Sequence, residues 1–301
     1  MLDKTRTKPN LNNHIPLAAP PRLRAPAQNK TVEADGISFA YRLMGPEDDV
    51  PLVFCQRFRG TMDEWDPAFL EALALHRRLI IFDNIGISST TGTVPTEVTG
   101  QAEAAASFIR ALGFNEVDLL GFSMGGYVCQ ALAILEPSLV RRVILCGSSC
   151  PGSAETEPPE EIFFATATKP KWDFEDKVIL FYADSSDSRG RGHLAEDRIE
   201  QQLAVGAEPE VPEPQWKNLV QIIESFSAPD SPWFARLKEI NQPTLIMNGD
   251  RDPCYPLQNQ LLLHREIPNS RLAILPMAGH APQHQFPSET ASMILDFLRA
   301  E

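Results

Sequence analysis

The sequence predicts an α/β fold, on three observations. Short runs that are apolar throughout recur along the chain. Helix-patterned stretches separate them, and one junction between the two kinds carries the turn Gly121-Phe122-Ser123-Met124-Gly125-Gly126. Runs this short and this rich in β-branched residues suit strands buried on both faces, as in a mostly parallel sheet. Their alternation with helices gives the class.

Taken in order, residues 1–28 hold five prolines between Pro9 and Pro26 among scattered basic residues. The stretch lacks the apolar core of a secretory signal, and its prolines spoil an amphipathic transit helix, so 1–29 is predicted as a disordered tail or surface arm. Residues 30–45 (KTVEADGISFAYRLMG) read as a hairpin turning at Asp35-Gly36. Strands follow at 51–55 (PLVFC), 78–82 (RLIIF), 117–120 (VDLL) and 143–146 (VILC). Asp63-Glu64-Trp65-Asp66-Pro67 reads as a helix start with Asp63 as its cap. A helix is predicted over 96–112, with Glu97 near its start, alanines through its middle and Gly113 as its stop, and another over 127–135.

That rhythm breaks at 151–236, where there are nine prolines and 17 acidic residues stand against eight basic ones. Helices are predicted at 172–182 and 215–226, but no strand. The rhythm resumes with strands at 243–248 (PTLIMN) and 271–275 (RLAIL), and a last helix over 288–299. The economical organisation is one core in two parts, 30–150 and 237–301, interrupted by a helical insertion at 151–236.

Composition narrows the function classes. The 301 residues carry 27 Lys+Arg against 40 Asp+Glu, a formal net charge of −13, and the apolar and charged fractions, 43% and 22%, suit a soluble chain with a sizeable core. So acidic a chain argues against nucleic acid and against an anionic membrane surface as partner. No run of about 18 apolar residues predicts a transmembrane helix. The five cysteines, at 55, 129, 146, 150 and 254, form no C-x-x-C pair. Neither a zinc site nor a disulfide framework is indicated, they read as small core residues, and a reducing cytoplasm is the expected home.

The chemistry begins with Gly121–Gly126. This is G-x-S-x-G between a predicted strand and a predicted helix, where a sharp turn would push the Ser123 hydroxyl clear of the sheet at a helix N-terminus. A serine needs a base, and the base an orienting acid. Of six histidines, His280 follows the 271–275 strand directly within Met277-Ala278-Gly279-His280, and His284 is the spare candidate. Pro282 interrupts any helix that would join the two as zinc ligands. Asn248-Gly249-Asp250-Arg251-Asp252-Pro253 supplies the acid at the end of the preceding strand. Asp252, restricted by Pro253, is favoured, and Asp250 is the alternative, with its own turn to serve.

The order Ser123, Asp252, His280 is that of the α/β-hydrolase fold, and from about Lys30 to Glu301 the chain resembles the esterase, cofactor-free haloperoxidase and C–C-bond hydrolase branch of that family. The resemblance rests on GFSMGG at 121–126, the Gly249…Asp252 loop, the Gly279-His280 loop and Asp83-Asn84-Ile85-Gly86-Ile87-Ser88, which is similar to the family's D-x-x-G-x-G-x-S loop. It implies a mostly parallel sheet of about eight strands with flanking helices, and 151–236 as a cap that roofs the active site. It also implies oxyanion donors at the backbone N–H groups of Phe58 and Met124. One departure stands beside these matches: where the family commonly has His-Gly-aromatic, this chain has Gln56-Arg57-Phe58.

The expected activity is therefore hydrolysis of a small to medium, largely apolar ester or lactone through an acyl-enzyme, with a small-molecule substrate, no metal and no organic cofactor, as monomer or homodimer. Rivals are C–C-bond hydrolysis, with Gln56 and Arg57 holding a second oxygen, lyase, cyclase or haloperoxidase-like chemistry, and a ligand-binding protein with a vestigial triad. Aromatic residues of the cap pack it onto the core and line the cleft, with Trp172 and Tyr182 as substrate-binding candidates.

Overall fold

The computed structural model describes residues 28–47, 50–203 and 211–300. The predicted arm at 1–29 therefore lies almost wholly outside the described residues. Eight strands form one sheet: β1 (Lys30–Ala34), β2 (Ile37–Met44), β3 (Leu52–Cys55), β4 (Leu79–Phe82), β5 (Val117–Phe122), β6 (Val140–Cys146), β7 (Thr244–Gly249) and β8 (Ser270–Leu275). Their order across the sheet is β1-β2-β4-β3-β5-β6-β7-β8. Only the pairs β1–β2 and β2–β4 are antiparallel, and every other neighbour runs parallel. The hairpin turns where the sequence predicts, at Asp35 and Gly36, whose φ angles of 49° and 78° are those of a two-residue hairpin turn.

Helices cover both faces. On one lie α2 (Val98–Ala111) and α3 (Met124–Leu135), packed against each other, and on the other α1 (Pro67–Ala74) against the C-terminal helix α10 (Pro287–Arg299). The central strands are consequently buried along their whole length: β3, β4, β5 and β7 show no exposed residue. This double burial is why their sequences are continuous apolar runs instead of alternating ones. The α1 cap is a correction: Asp66, not Asp63, accepts from the Ala68 amide at 2.9 Å. Asp63 is turned inward to pair with Arg42 of β2.

Between β6 and β7 the chain leaves the sheet and, among the described residues, builds four α-helices, α4 (Glu161–Ala167), α5 (Phe174–Phe181), α6 (Ser186–Leu203) and α7 (Glu213–Phe226), and a short 3-10 helix over Phe234–Glu239. A short α8 (Leu257–Glu266) then follows β7, and α9 (Pro282–Gln285) follows β8. The predicted helices at 172–182 and 215–226 correspond to α5 and α7. Of the others, α6 has no counterpart in the prediction for a physical reason. Its inward residues are Ser188, Gly192, Ala195, Glu196 and Ile199, small or polar for the most part, and two glycines lower its propensity. Gly192 packs closely there: a Cβ would lie 3.0 Å from the Tyr182 ring. Among the described residues no helix is long and apolar enough to cross a membrane.

Candidate active site

Three loops at the C-terminal ends of parallel strands carry the candidate residues to one point. The first is the turn from β5 into α3. Ser123 sits there at φ 55° and ψ −122°, in the left-handed half of conformational space that a non-glycine residue enters only under strain, at a cost of about 1–3 kcal/mol. The strain is tolerated because the neighbours leave no alternative. The amide of Ser123 is held by the Cys146 carbonyl at 3.0 Å, and α3 packs so near β3 that a Cβ on Gly125 would lie 2.1 Å from the Cys55 carbonyl oxygen.

The second loop follows β7. Asp252 turns its Oδ1 back onto the amides of Cys254 (2.7 Å) and Tyr255 (3.0 Å), which fixes the carboxylate and leaves Oδ2 for His280 Nδ1 at 2.9 Å. The third loop follows β8 and presents His280, whose Nε2 stands 2.9 Å from Ser123 Oγ. His280 is 1% exposed and Ser123 6%, so the line of hydrogen bonds is shielded from bulk water. With Nδ1–H donated to a carboxylate, Nε2 is left as the acceptor for the serine proton. Asp250 does not take part: its Oδ1 accepts from the Met277 amide at 2.6 Å and ties the second loop to the third.

Above this line lies a cavity of about 430 Å³. Ser123, His280, Phe58 and Tyr255 form part of its floor, and Phe163, Trp172, Phe181 and Ile223 of the inserted segment form part of its roof. Apolar walls with few convergent polar groups are the composition of a small-molecule site. Met124 is the first residue of α3, and a first-turn amide has no acceptor within its own helix. Phe58 lines the cavity beside Ser123. The two residues predicted to supply oxyanion donors thus lie on the loop after β3 and at the start of α3.

Two substrate-binding candidates are corrected. Gln56 does not line the cavity: Nε2 donates to the Phe82 carbonyl (2.8 Å) and Oε1 accepts from Trp65 Nε1 (2.7 Å), pinning the loop after β3 to β4. Tyr182 is 2% exposed and faces α6, where its hydroxyl donates to Glu196 at 2.8 Å. Burial and the nearby Glu196 charge hold that phenol well above its usual pKa. Trp172 does line the cavity, with its ring nitrogen spent on the Thr166 carbonyl at 3.0 Å. Arg57 lines it too, but its guanidinium is engaged by Glu64 at 2.7 Å and by the Phe58 carbonyl, beneath the rings of Trp172 and Phe181. It braces the loop and brings no free charge.

His284, the spare histidine, lies behind this wall. Neither ring nitrogen has a partner among the described residues. Burial first, and then the charges of Arg57, Arg198 and Lys177, push its pKa down to about 3. Two cavity residues escaped sequence reasoning altogether. Tyr127 lies one helical turn beyond Ser123 and Tyr255 three residues beyond Asp252, and the Tyr127 hydroxyl donates to that of Tyr255 at 2.7 Å. The signal was available in the i, i+4 spacing on α3, which puts residue 127 on the face that residue 123 heads.

A parallel sheet crossed at its strand ends by a serine on a strained turn, a histidine and an aspartate is the architecture of an α/β-hydrolase. The chain belongs to that family: the model of the alpha/beta hydrolase family matches residues 58–293. Among relatives, a Bacillus subtilis (strain 168) protein with the provisional name 2-succinyl-6-hydroxy-2,4-cyclohexadiene-1-carboxylate synthase is 26% identical over 280 residues, covering 88% of this chain and 96% of that one. The 2-hydroxy-6-oxononadienedioate/2-hydroxy-6-oxononatrienedioate hydrolase 2 of Pseudomonas putida is 28% identical over 239 residues, covering 75% and 79%. Among solved structures, an alpha/beta hydrolase fold protein from Chitinophaga pinensis superposes with a TM-score of 0.84 at 28% identity, covering 92% of this chain and 99% of its own.

Proposed function

We propose that the protein is a serine hydrolase that cleaves a small to medium, largely apolar ester or lactone through an acyl-enzyme. The carrying observation is the continuous hydrogen-bonded line Ser123 Oγ–His280 Nε2 and His280 Nδ1–Asp252 Oδ2, both at 2.9 Å, on the floor of an apolar cavity. In this reading His280 takes the serine proton as Oγ attacks the carbonyl carbon, and Asp252 holds the tautomer and stabilises the imidazolium. The amides of Phe58 and Met124 receive the developing oxyanion, each worth about 3–4 kcal/mol in the transition state. His280 then protonates the leaving alkoxide, and a water deprotonated by the same histidine releases the acid. Residues 151–236 act as the cap: they roof the site, keep water out and size the substrate.

Carbon–carbon hydrolysis is the second reading, favoured by the name of the Pseudomonas putida relative. It loses one of its expected supports here, because Gln56 is turned away from the cavity. The deciding experiment is hydrolysis of p-nitrophenyl esters of graded acyl length by wild type and Ser123→Ala. Turnover that disappears in the variant supports the ester reading. An inert wild type whose Ser123 is still labelled by an alkyl phosphonate moves the substrate class to ketones.

A further inference from the structure

The cavity is largely apolar; besides Ser123 and His280, its polar side chains include Arg57, Glu224 and three hydroxyls that form a chain. Ser227 at the end of α7 stands 3.3 Å from the Tyr127 hydroxyl, which is 2.7 Å from that of Tyr255. All three residues line the cavity, and the Tyr255 ring lies 5.3 Å from His280. The chain has a direction. Tyr127 donates to Tyr255, so Tyr255 keeps its own proton for a partner in the cavity, and Tyr127 is left as the acceptor for Ser227. Burial holds both phenols above their usual pKa, so both remain donors.

We propose that Tyr255, aligned by Tyr127 and Ser227, is a specificity-determining donor that hydrogen-bonds a second oxygen of the substrate beside the carbonyl attacked by Ser123. This rests on the serine-hydrolase reading and names its substrate class: an apolar carbonyl compound with a second, uncharged acceptor oxygen, as in a 1,3-dicarbonyl. With the Tyr127 proton already accepted, the Tyr255 hydroxyl is the donor of the chain left to face the substrate. An uncharged acceptor fits because Arg57, which lines the cavity, is already paired with Glu64, while Glu224 brings a carboxylate to the same lining.

The test compares wild type with Tyr255→Phe on p-nitrophenyl 3-oxobutyrate and p-nitrophenyl butyrate. The expected result is a loss of tenfold or more in kcat/KM on the oxo ester and less than threefold on its partner, with Tyr127→Phe losing an intermediate amount. A second arm needs no turnover. In the Ser123→Ala background, tryptophan fluorescence reads binding of benzoylacetone and of butyrophenone, and Tyr255→Phe abolishes a preference of about tenfold for the diketone. Equal loss on both members of a pair, or no loss on either, overturns the proposal. If wild type neither turns over an ester nor takes a phosphonate on Ser123, the hydrolase reading fails, and the binding arm still decides the role of Tyr255.

Discussion

The floor and the roof of the cavity are held by different means. On the floor, Ser123, Asp252 and His280 are set by backbone: strand ends, a strained turn, two amides on one carboxylate oxygen. The roof is held by side chains that reach across the chain. Arg198 of α6 clamps Asp66 at the start of α1 through two contacts, and Gln202 reaches the Asp63 carbonyl at 2.7 Å. Asn218 of α7 binds the Val94 carbonyl at 2.9 Å. Arg59, beside the predicted oxyanion amide, holds the carbonyls of Ala167, Lys169 and Pro170 and packs on the rings of Trp172 and Trp216. Backbone fixes geometry tightly because it cannot rotate away, whereas side-chain tethers let a roof be exchanged without disturbing the floor.

Breaking the floor carries the largest expected effects. Ser123→Ala lowers ester turnover by about 10,000-fold or more with a melting temperature near that of wild type, measured by p-nitrophenol release and calorimetry. Asp252→Asn lowers turnover by about 1,000- to 10,000-fold, because the amide favours the wrong histidine tautomer, while the turn amides of Cys254 and Tyr255 keep an oxygen to bind.

His284 sharpens the comparison by a pH effect at the seam between floor and roof. Its folded pKa of about 3 lies below the ordinary value of 6.5, so the unfolded chain binds the extra proton. Its contribution to stability is complete above pH 6.5 and is lost as the pH falls towards 3, on the order of 5 kcal/mol across that window. Denaturant midpoints at a series of pH values read this slope, and His284→Phe flattens it.

Breaking the roof costs less. Arg198→Met strands the buried Asp66 carboxyl, whose pKa burial already raises against the pull of the arginine, and destabilises the fold by about 3 kcal/mol. Asp66→Asn in the same chain recovers most of that loss in urea unfolding. Arg59→Ala is the smallest: about 1 kcal/mol of stability, with KM for esters raised severalfold and kcat changed less, read by steady-state kinetics. A larger fall in kcat than rise in KM would show that Arg59 also positions the Phe58 amide.

Much of the floor was legible in the sequence because its signals are local. The run VDLL followed by GFSMGG fixes where β5 ends and α3 begins, and GDRDP and MAGH sit at the ends of β7 and β8. The roof was less legible. Its helix α6 turns small and polar residues inward, so no hydrophobic period betrays it, and the arginine that anchors it finds Asp66 132 residues away in sequence.

By itself, then, the sequence determined the class of fold, the strand-end loops on which Ser123, Asp252 and His280 lie, and the insertion between β6 and β7, since periodicity and turn chemistry act over a few residues. Only the tertiary structure decided which way individual side chains face. Gln56 and Tyr182, read as substrate groups, spend their polar atoms on Phe82, Trp65 and Glu196, while Tyr127 and Tyr255 converge beside Ser123. A buried polar atom takes whichever partner the fold brings within 3 Å, and that partner is set by packing across the whole molecule.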